Sequence, residues 1–269
     1  MTTTPILDYH THTNFSTDGS SSMGEMIANA VKTGIAEIAI TDHYDPDYPE
    51  PGWGEGFSQI EYTDQLGQCK SKYRNEIQVV KGIEIGIQHG GTLQKCKDAA
   101  NFYDYDFIIG SFHCAQGYEL AMGGFFDNRS VEDATEAFYR YNYDCLSVYK
   151  DYDVLGHINV IDRYGAYIPK YNNLWDVVEE ILKMIIYDGK GIEINTSSFR
   201  YGMGEYTTPS HEILRLYKDL GGEIITVGSD AHRIKDLGYK IAWAYEKMKS
   251  VGFKYVTTYR QRKPSFIKL

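Results

Sequence analysis

The sequence contains little of what marks a secreted, membrane or nucleic-acid-binding protein. Its four cysteines are far apart and form no Cys-x-x-Cys pair, which argues against a disulfide framework or a zinc ribbon. No stretch approaches the roughly 20 consecutive apolar residues that a membrane span requires. Residues 1–5 show no basic cluster followed by an apolar stretch, so we expect no signal peptide and a cytoplasmic location.

Positive charge is also scarce. The chain has 27 Lys and Arg against 37 Asp and Glu, which gives a formal net charge of −10 at pH 7. Nucleic acids are held by basic faces, so this balance disfavours nucleic acid as the main partner. A small anionic substrate stays possible, because a few local cations can dominate one cleft. With 269 residues, 42% of them hydrophobic, we expect a single domain over residues 1–269 with a sizeable core.

Short apolar runs alternate with helical patterns along the chain. The runs predict strands at residues 6–9, 37–41, 78–84, 105–111, 154–157, 191–196 and 223–228, with a weaker eighth at 254–258. Helices are predicted between them at residues 23–33, 58–73, 131–149, 174–187, 209–220 and 235–251. Repeated strand–helix units predict a parallel sheet closed into an α/β barrel. Two loops, residues 44–57 and 116–129, follow strand ends and are expected to cover an active site.

The positions of the histidines carry most of the functional information. Six of the eight lie at the carboxyl ends of predicted strands: His10, His12, His43, His113, His157 and His232. Three acids accompany them, namely Asp18, Glu84 and Asp230. In a parallel barrel these strand ends share one face, where catalytic groups gather. Imidazoles and carboxylates suit Zn, Mn or Fe ions, so the joint pattern predicts a site for more than one metal ion.

The ordered motifs resemble those of the PHP (polymerase and histidinol phosphatase) superfamily. They are HTH at 10–12, DG at 18–19, TDH at 41–43, Glu84, SFH at 111–113, GH at 156–157 and SDAH at 229–232. The resemblance implies a distorted (β/α)7 TIM-like barrel with three divalent metal ions. It assigns the first ion to His10, His12, Glu84 and Asp230. The second falls to Glu84, His113 and His157, and the third to Asp18, His43 and His232.

Within the superfamily, the chain is similar to the stand-alone histidinol-phosphatases. Segments 156–165, 193–197 and 259–264 carry this narrower resemblance, together with Arg200. It implies hydrolysis of L-histidinol phosphate, a small phosphate monoester, in histidine biosynthesis. Arg163 and Arg200 follow the fifth and sixth predicted strands, and we assign both to the phosphoryl oxygens, because the guanidinium fork matches phosphate geometry. Asp18 and His232 are the candidates for protonating the leaving alkoxide.

Several further polar residues receive predictions of their own. Asp42 is expected either to orient a neighbouring imidazole or to cap a turn. His89 and His211 fall away from strand ends and are predicted to be surface residues. Contact with the amino or imidazole group of the substrate is one role for the acids of the first long loop, although a solvated loop is favoured: Asp45, Asp47, Glu50 and Glu55.

Three other functions are compatible with parts of the pattern. A PHP phosphoesterase could act on phosphotyrosine or on nucleic acid ends. An amidohydrolase-like zinc hydrolase shares the HxH motif, although it commonly uses a carboxylated lysine where Glu84 stands here. A metal-binding regulatory protein without activity is the third, and such relatives usually lose ligands. The sequence does not give the metal's identity or the oligomeric state.

Overall fold

Seven parallel strands form the centre of the structure. The computed structural model describes residues 4–50, 53, 57–122, 124–171 and 174–269. Within these ranges the central strands are β1 (Leu7–Asp8), β2 (Glu37–Ile40), β3 (Gln78–Gly86), β4 (Phe107–Ser111), β5 (Val154–Leu155), β6 (Gly191–Asn195) and β7 (Ile225–Gly228). Each strand pairs in parallel with the next one along this series.

Backbone hydrogen bonds between β1 and β7 close this sheet into a barrel. The N–H of Tyr9 donates to the carbonyl of Val227 at 3.0 Å, and the N–H of Asp230 donates to the carbonyl of His10 at 2.8 Å. The first strand therefore lies beside the last, with seven strands in the ring. The predicted distorted (β/α)7 TIM-like barrel is confirmed.

One helix follows each barrel strand in the described part of the chain. The helices are α1 (Met23–Thr33), α2 (Gln59–Tyr73), α3 (Thr92–Ala100), α4 (Val131–Val148), α5 (Trp175–Tyr187), α6 (His211–Asp219) and α7 (Ile241–Val251). The sequence patterns miss α3, because its buried face consists of small residues and its N-cap, Gly91, offers no side-chain hydrogen bond. None of these helices is both long and apolar enough to cross a bilayer.

Two helices begin later than predicted. The segment 209–220 becomes helical only at His211, because the hydroxyl of Ser210 accepts the N–H of Ile213 and so caps the first turn. The segment 235–251 starts with a separate 3₁₀ turn, Ile234–Asp236, and α7 begins at Ile241. The four cysteines, all in described ranges, are buried and unpaired.

The C-terminal residues form a hairpin at the amino-terminal end of the barrel. Its strands, β8 (Tyr255–Arg260) and β9 (Lys263–Lys268), pair antiparallel with each other, so the weaker eighth strand predicted at 254–258 is present but lies outside the barrel. Arg260 donates to both carboxylate oxygens of Glu37, at 2.7 and 2.6 Å. Arg262 Nε contacts Asp153 Oδ2 at 2.5 Å. Segment 259–264 therefore braces the barrel at the end opposite the histidines.

We expect Arg262→Ala to destabilise the fold and to leave catalysis intact. Asp153 is 4% exposed, and without the guanidinium its carboxylate would keep only the backbone N–H of Ile108 as a hydrogen-bond donor among the described residues. Removing the hydrogen-bond donor of a buried acceptor lowers the free energy of unfolding by about 1–3 kcal/mol. Urea unfolding measures this loss, with the exposed neighbour Lys263→Ala as the control. Normal stability combined with impaired turnover would contradict the bracing role.

Candidate metal centre and active site

The carboxylate of Glu84 lies at the centre of the histidine cluster. Glu84 is in β3, is 0% exposed, and has its carboxylate oxygens 2.7–3.6 Å from ring nitrogens of five histidines. These are His10, His12, His43, His113 and His157. They come from the carboxyl ends of four barrel strands, which meet at one face of the barrel. Glu84 is thus the group that joins the cluster.

The first predicted ligand group is compact and buried. Asp230 Oδ1 lies 3.8 Å from His10 Nε2 and 3.2 Å from His12 Nε2. One donor atom from each of these three residues lies within 4.8 Å of the others. The two imidazoles, two positions apart on the chain, reach the same place, as their spacing indicates.

The second and third groups flank the first. Donor atoms of His10, Glu84 and His157 lie within 4.8 Å of one another, and His113 Nε2 is 3.4 Å from Glu84 Oε1. The other predicted residues are at the mouth of the barrel. There Asp18 Oδ2 is 3.1 Å from His232 Nε2, and His43 Nε2 is 3.3 Å from the same nitrogen. The structure therefore brings all nine predicted ligand side chains together.

Two of these residues have backbone angles that non-glycine residues rarely adopt. His157 has φ 24° and Asp230 has φ 55°. Strained backbone of this kind gathers at functional sites, where the surrounding structure imposes it. Gly228, at the end of β7, makes room here, because a Cβ at this position would lie 2.2 Å from the Cβ of His10.

Asp45 is a site residue that the sequence prediction misplaced. It was expected to be solvated, yet it is 8% exposed and its Oδ1 lies 2.7 Å from His113 Nδ1. Gly86 in β3 permits this position, since a Cβ there would lie 1.8 Å from Asp45 Oδ1. The two-residue spacing from His43 was the available signal. Asp47 and Glu50 are exposed as predicted, and Glu55 lies outside the described residues.

Hydrogen bonds behind the cluster fix the orientation of its imidazoles. Glu193 Oε1 is 2.6 Å from His10 Nδ1, which places the Nδ1 proton toward Glu193 and directs the Nε2 lone pair toward Glu84. The hydroxyl of Ser16 lies 3.0 Å from His12 Nδ1 and donates to Asp42 at 2.7 Å. Asp42 therefore acts on an imidazole through Ser16, which is one of its two predicted roles.

Glu193→Gln is expected to weaken metal binding about 10- to 100-fold, the usual cost of losing a hydrogen-bond partner behind a metal ligand. The glutamine amide can present its NH₂ to Nδ1 of His10, and that favours the tautomer with the proton on Nε2. Competition titrations against a metal-binding dye would measure the change. Exposed Glu180→Gln serves as the control, and equal metal affinities for the two variants would contradict this assignment.

The field inside the cluster favours cations. Although burial raises the pKa of Glu84, the charges of His10 and His43 lower it well below its ordinary value. Burial likewise opposes ionisation of Asp230, and His10 and His12 outweigh it and lower that pKa as well. Burial lowers the pKa of His43, but the Glu84 carboxylate reverses this and raises it to about 9. The protons on these histidines and a metal ion would neutralise the same carboxylates.

The donor set fits divalent metal ions. At the centre of the cluster, four buried atoms face one another without a hydrogen bond of normal geometry to any described residue, namely His10 Nε2, His12 Nε2, His43 Nδ1 and Glu84 Oε2. Buried polar atoms without partners are costly, and a cluster of them at one point indicates a missing cation. Imidazole nitrogens with carboxylate oxygens are the ligands that Zn and related ions take.

A cavity of about 190 Å³ opens onto the cluster. Both predicted loops border it, the first with Asp45, Tyr48 and Trp53 and the second with Ala121. Residues 51–52, 54–56 and 123 of these loops lie outside the described part of the chain. The prediction that the two loops cover the site therefore agrees with the described residues.

The two arginines assigned to phosphate occupy different places. Arg163 lines the cavity, stacks on the Tyr201 ring at 4.0 Å, and donates from Nη2 to the hydroxyl of Ser197 at 2.7 Å. Arg200 instead donates from Nη2 to the backbone carbonyls of Ser229 and Asp230, at 2.8 and 2.7 Å. Arg163 Nε and Arg200 Nη1 have no partner among the described residues. Arg200 thus also holds the backbone that carries Asp230.

A buried carboxylate supports the segment that carries Arg163. Asp162 accepts hydrogen bonds from Asn159, Tyr171 and Tyr206, at 3.0, 2.6 and 3.1 Å. Burial raises its pKa to about 6. Asp162 lies in segment 156–165, but no role was predicted for it, because its partners Tyr171 and Tyr206 come from other segments of the chain.

Comparison with known proteins agrees with the resemblance seen in the motifs. Residues 8–197 match the PHP domain family. A probable histidinol-phosphatase of Clostridium acetobutylicum is 30% identical over 253 residues, which cover 93% of this chain and 95% of that protein. A histidinol-phosphatase of Lactococcus lactis subsp. lactis is 29% identical over 261 residues, 94% of each chain.

A solved structure extends the agreement to the fold. Histidinol phosphate phosphatase from Lactococcus lactis subsp. lactis, complexed with zinc, L-histidinol and phosphate, superposes with a TM-score of 0.86 at 27% identity. The match covers 96% of this chain and 98% of that one. By its family match, its relatives and its fold, the chain belongs to the PHP domain family, in the branch of the stand-alone histidinol-phosphatases.

Proposed function

We propose that this protein is a metal-dependent phosphatase that hydrolyses L-histidinol phosphate to L-histidinol and inorganic phosphate. The observation that carries the proposal is the convergence of nine candidate metal ligands, six of which line a cavity that Arg163 also lines. Two relatives that align with more than nine tenths of the chain are a probable histidinol-phosphatase and a histidinol-phosphatase. The substrate is thus a small phosphate monoester, and an acidic protein with a narrow cavity is ill suited to nucleic acid.

The residues would hold three divalent ions in the arrangement that the family resemblance implies. His10, His12, Glu84 and Asp230 form the first group. Glu84, His113 and His157 form the second, and Asp18, His43 and His232 form the third. Zinc is the ion proposed, since the Lactococcus lactis structure is a zinc complex. When bound, the ions supply Lewis-acid chemistry that activates water near neutral pH and offsets phosphoryl charge.

The chain's own residues bind the phosphoryl group and deliver a proton. Arg163 offers a free Nε–H to the phosphoryl oxygens, with its guanidinium held flat by Tyr201. Arg200 offers Nη1, while its other contacts keep Asp230 in place. The leaving oxygen needs a proton, and His232, which lies 3.1 Å from the Asp18 carboxylate at the cavity mouth, is assigned to supply it.

Steady-state phosphate release tests the proposal. The substrates are histidinol phosphate, phosphotyrosine, 4-nitrophenyl phosphate and single-stranded DNA, each assayed before and after chelation, with elemental analysis of the protein. We expect kcat/KM for histidinol phosphate to exceed the others by about 100-fold or more. Chelation should abolish turnover, and added zinc should restore it. Preference for another substrate, or background activity in the metal-loaded protein, would overturn the proposal.

A further inference from the structure

Glu119 is a buried carboxylate that no cation neutralises in the described part of the chain. It is 6% exposed, and its Oε1 accepts the N–H of Met122 at 2.7 Å. Its Oε2 is buried and has no hydrogen-bond partner among the residues that the structure describes. Burying a carboxylate without a cationic partner is unfavourable, so an unpaired oxygen of this kind indicates a group that a ligand supplies.

The backbone places Glu119 next to residues that line the active-site cavity. The two-residue strand Tyr118–Glu119 pairs with Cys114–Ala115, which directly follows His113, and Glu119 is opposite Cys114. The next residue, Leu120, donates its N–H to the carbonyl of His113 at 3.1 Å. Ala121, two positions beyond Glu119, lines the cavity. The hairpin therefore holds the carboxylate beside the site.

The surroundings of Glu119 are acidic and aromatic. Burial raises the pKa of Tyr48, and the charges of Cys114, Glu119 and Asp45 raise it further. The Tyr48 ring stacks on Trp53 with centroids 5.5 Å apart, and both rings line the cavity. Among the described residues that line it, Arg163 is the only Lys or Arg. Apart from Arg163, the described lining of the cavity therefore offers Glu119 no arginine or lysine partner.

We propose that Glu119 is a specificity residue that binds a cationic nitrogen group of the substrate's alcohol portion, beside the Tyr48 and Trp53 rings. Its unpaired Oε2 would accept an N–H from a protonated amine or a protonated imidazole, which are the two nitrogen groups of histidinol. The inference rests on the proposed function, since it concerns the same substrate. It separates the roles in the cavity, with arginine binding the phosphoryl group and Glu119 binding the leaving alcohol.

Glu119→Gln tests the assignment with three substrates of the metal-loaded enzyme. They are histidinol phosphate, the analogue that lacks the amino group, and 4-nitrophenyl phosphate, which has no cationic group. We expect KM for histidinol phosphate to rise about 10- to 100-fold, the loss of one charge-assisted hydrogen bond. The kcat/KM for 4-nitrophenyl phosphate should stay within about twofold. If Glu119 binds the amine, KM for the analogue should be the same in the variant and the wild type. If Glu119 binds the imidazole, KM for the analogue should rise as much as KM for histidinol phosphate.

Further variants keep the outcome decisive. Exposed Glu76→Gln is the matched control. Glu119→Asp keeps the charge on a shorter side chain and should give an intermediate KM. It replaces Glu119→Gln in the test if the glutamine variant does not fold. Inhibition by L-histidinol should weaken in the two Glu119 variants, while inhibition by phosphate stays unchanged. Equal losses on all substrates, or an unchanged KM, would overturn the inference. Failure of the wild type on histidinol phosphate would instead refute the proposed function.

Discussion

Glu84→Gln should lower kcat/KM for histidinol phosphate by about 10⁴-fold, a loss of the size seen when a central catalytic group is removed. The carboxylate lies within 3.6 Å of five histidines, which belong to all three predicted ligand groups, so its loss should affect the whole cluster. A neutral amide keeps the shape and supplies only one weak oxygen ligand. The same variant should therefore contain less metal than the wild type, as elemental analysis would measure.

The control for Glu84 uses the two histidines outside the cluster. His89 and His211 are exposed, as predicted, so His89→Gln and His211→Gln should keep full activity and metal content. Circular dichroism would verify that the Glu84 variant retains its fold. A folded Glu84→Gln enzyme with full metal content and normal turnover would show that the cluster does not depend on this carboxylate.

Arg163→Met should reduce kcat/KM by about 10²- to 10³-fold, the usual effect of removing one donor to a charged transition state. The guanidinium lines the cavity and reaches it from a position set by Ser197 and Tyr201. Metal content and unfolding temperature should change little, because no predicted metal ligand contacts this side chain. Steady-state kinetics with parallel elemental analysis measure both effects.

Arg200→Met offers the matched comparison. This arginine holds the carbonyls of Ser229 and Asp230, so its loss should lower metal affinity together with turnover. Arg163→Lys keeps the charge but not the planar fork and should recover only part of the activity. Unchanged catalytic efficiency in Arg163→Met would remove that arginine from the mechanism.

The metal centre could be predicted from the sequence because a parallel barrel places all strand ends on one face. Motifs such as HTH at 10–12 and SDAH at 229–232 end strands that are far apart along the chain and adjacent in space. The histidines follow the predicted strands in the sequence, so they were expected at the carboxyl ends of those strands. This rule predicted that the histidines share one face of the barrel, whereas the seven-strand barrel and the assignment of nine side chains to three ions came from the resemblance to the PHP superfamily.

Residues whose roles depend on distant partners could not be predicted in this way. Asp45 belongs to a loop whose composition indicates solvation, and its burial depends on space left by Gly86. Glu119 and Asp162 become significant only when hairpins and loops from other segments bury them. The tail residue Arg260 pairs with Glu37, 223 positions away, so its bracing role was invisible in the local pattern.

X-ray diffraction at the zinc absorption edge, on crystals grown with zinc, tests the central claim most directly. The account predicts anomalous peaks about 2.0–2.3 Å from the ring nitrogens and carboxylates of the nine residues, with one peak beside each predicted group. Glu84 should contact more than one peak. Anomalous density located elsewhere, with these side chains uncoordinated, would contradict it.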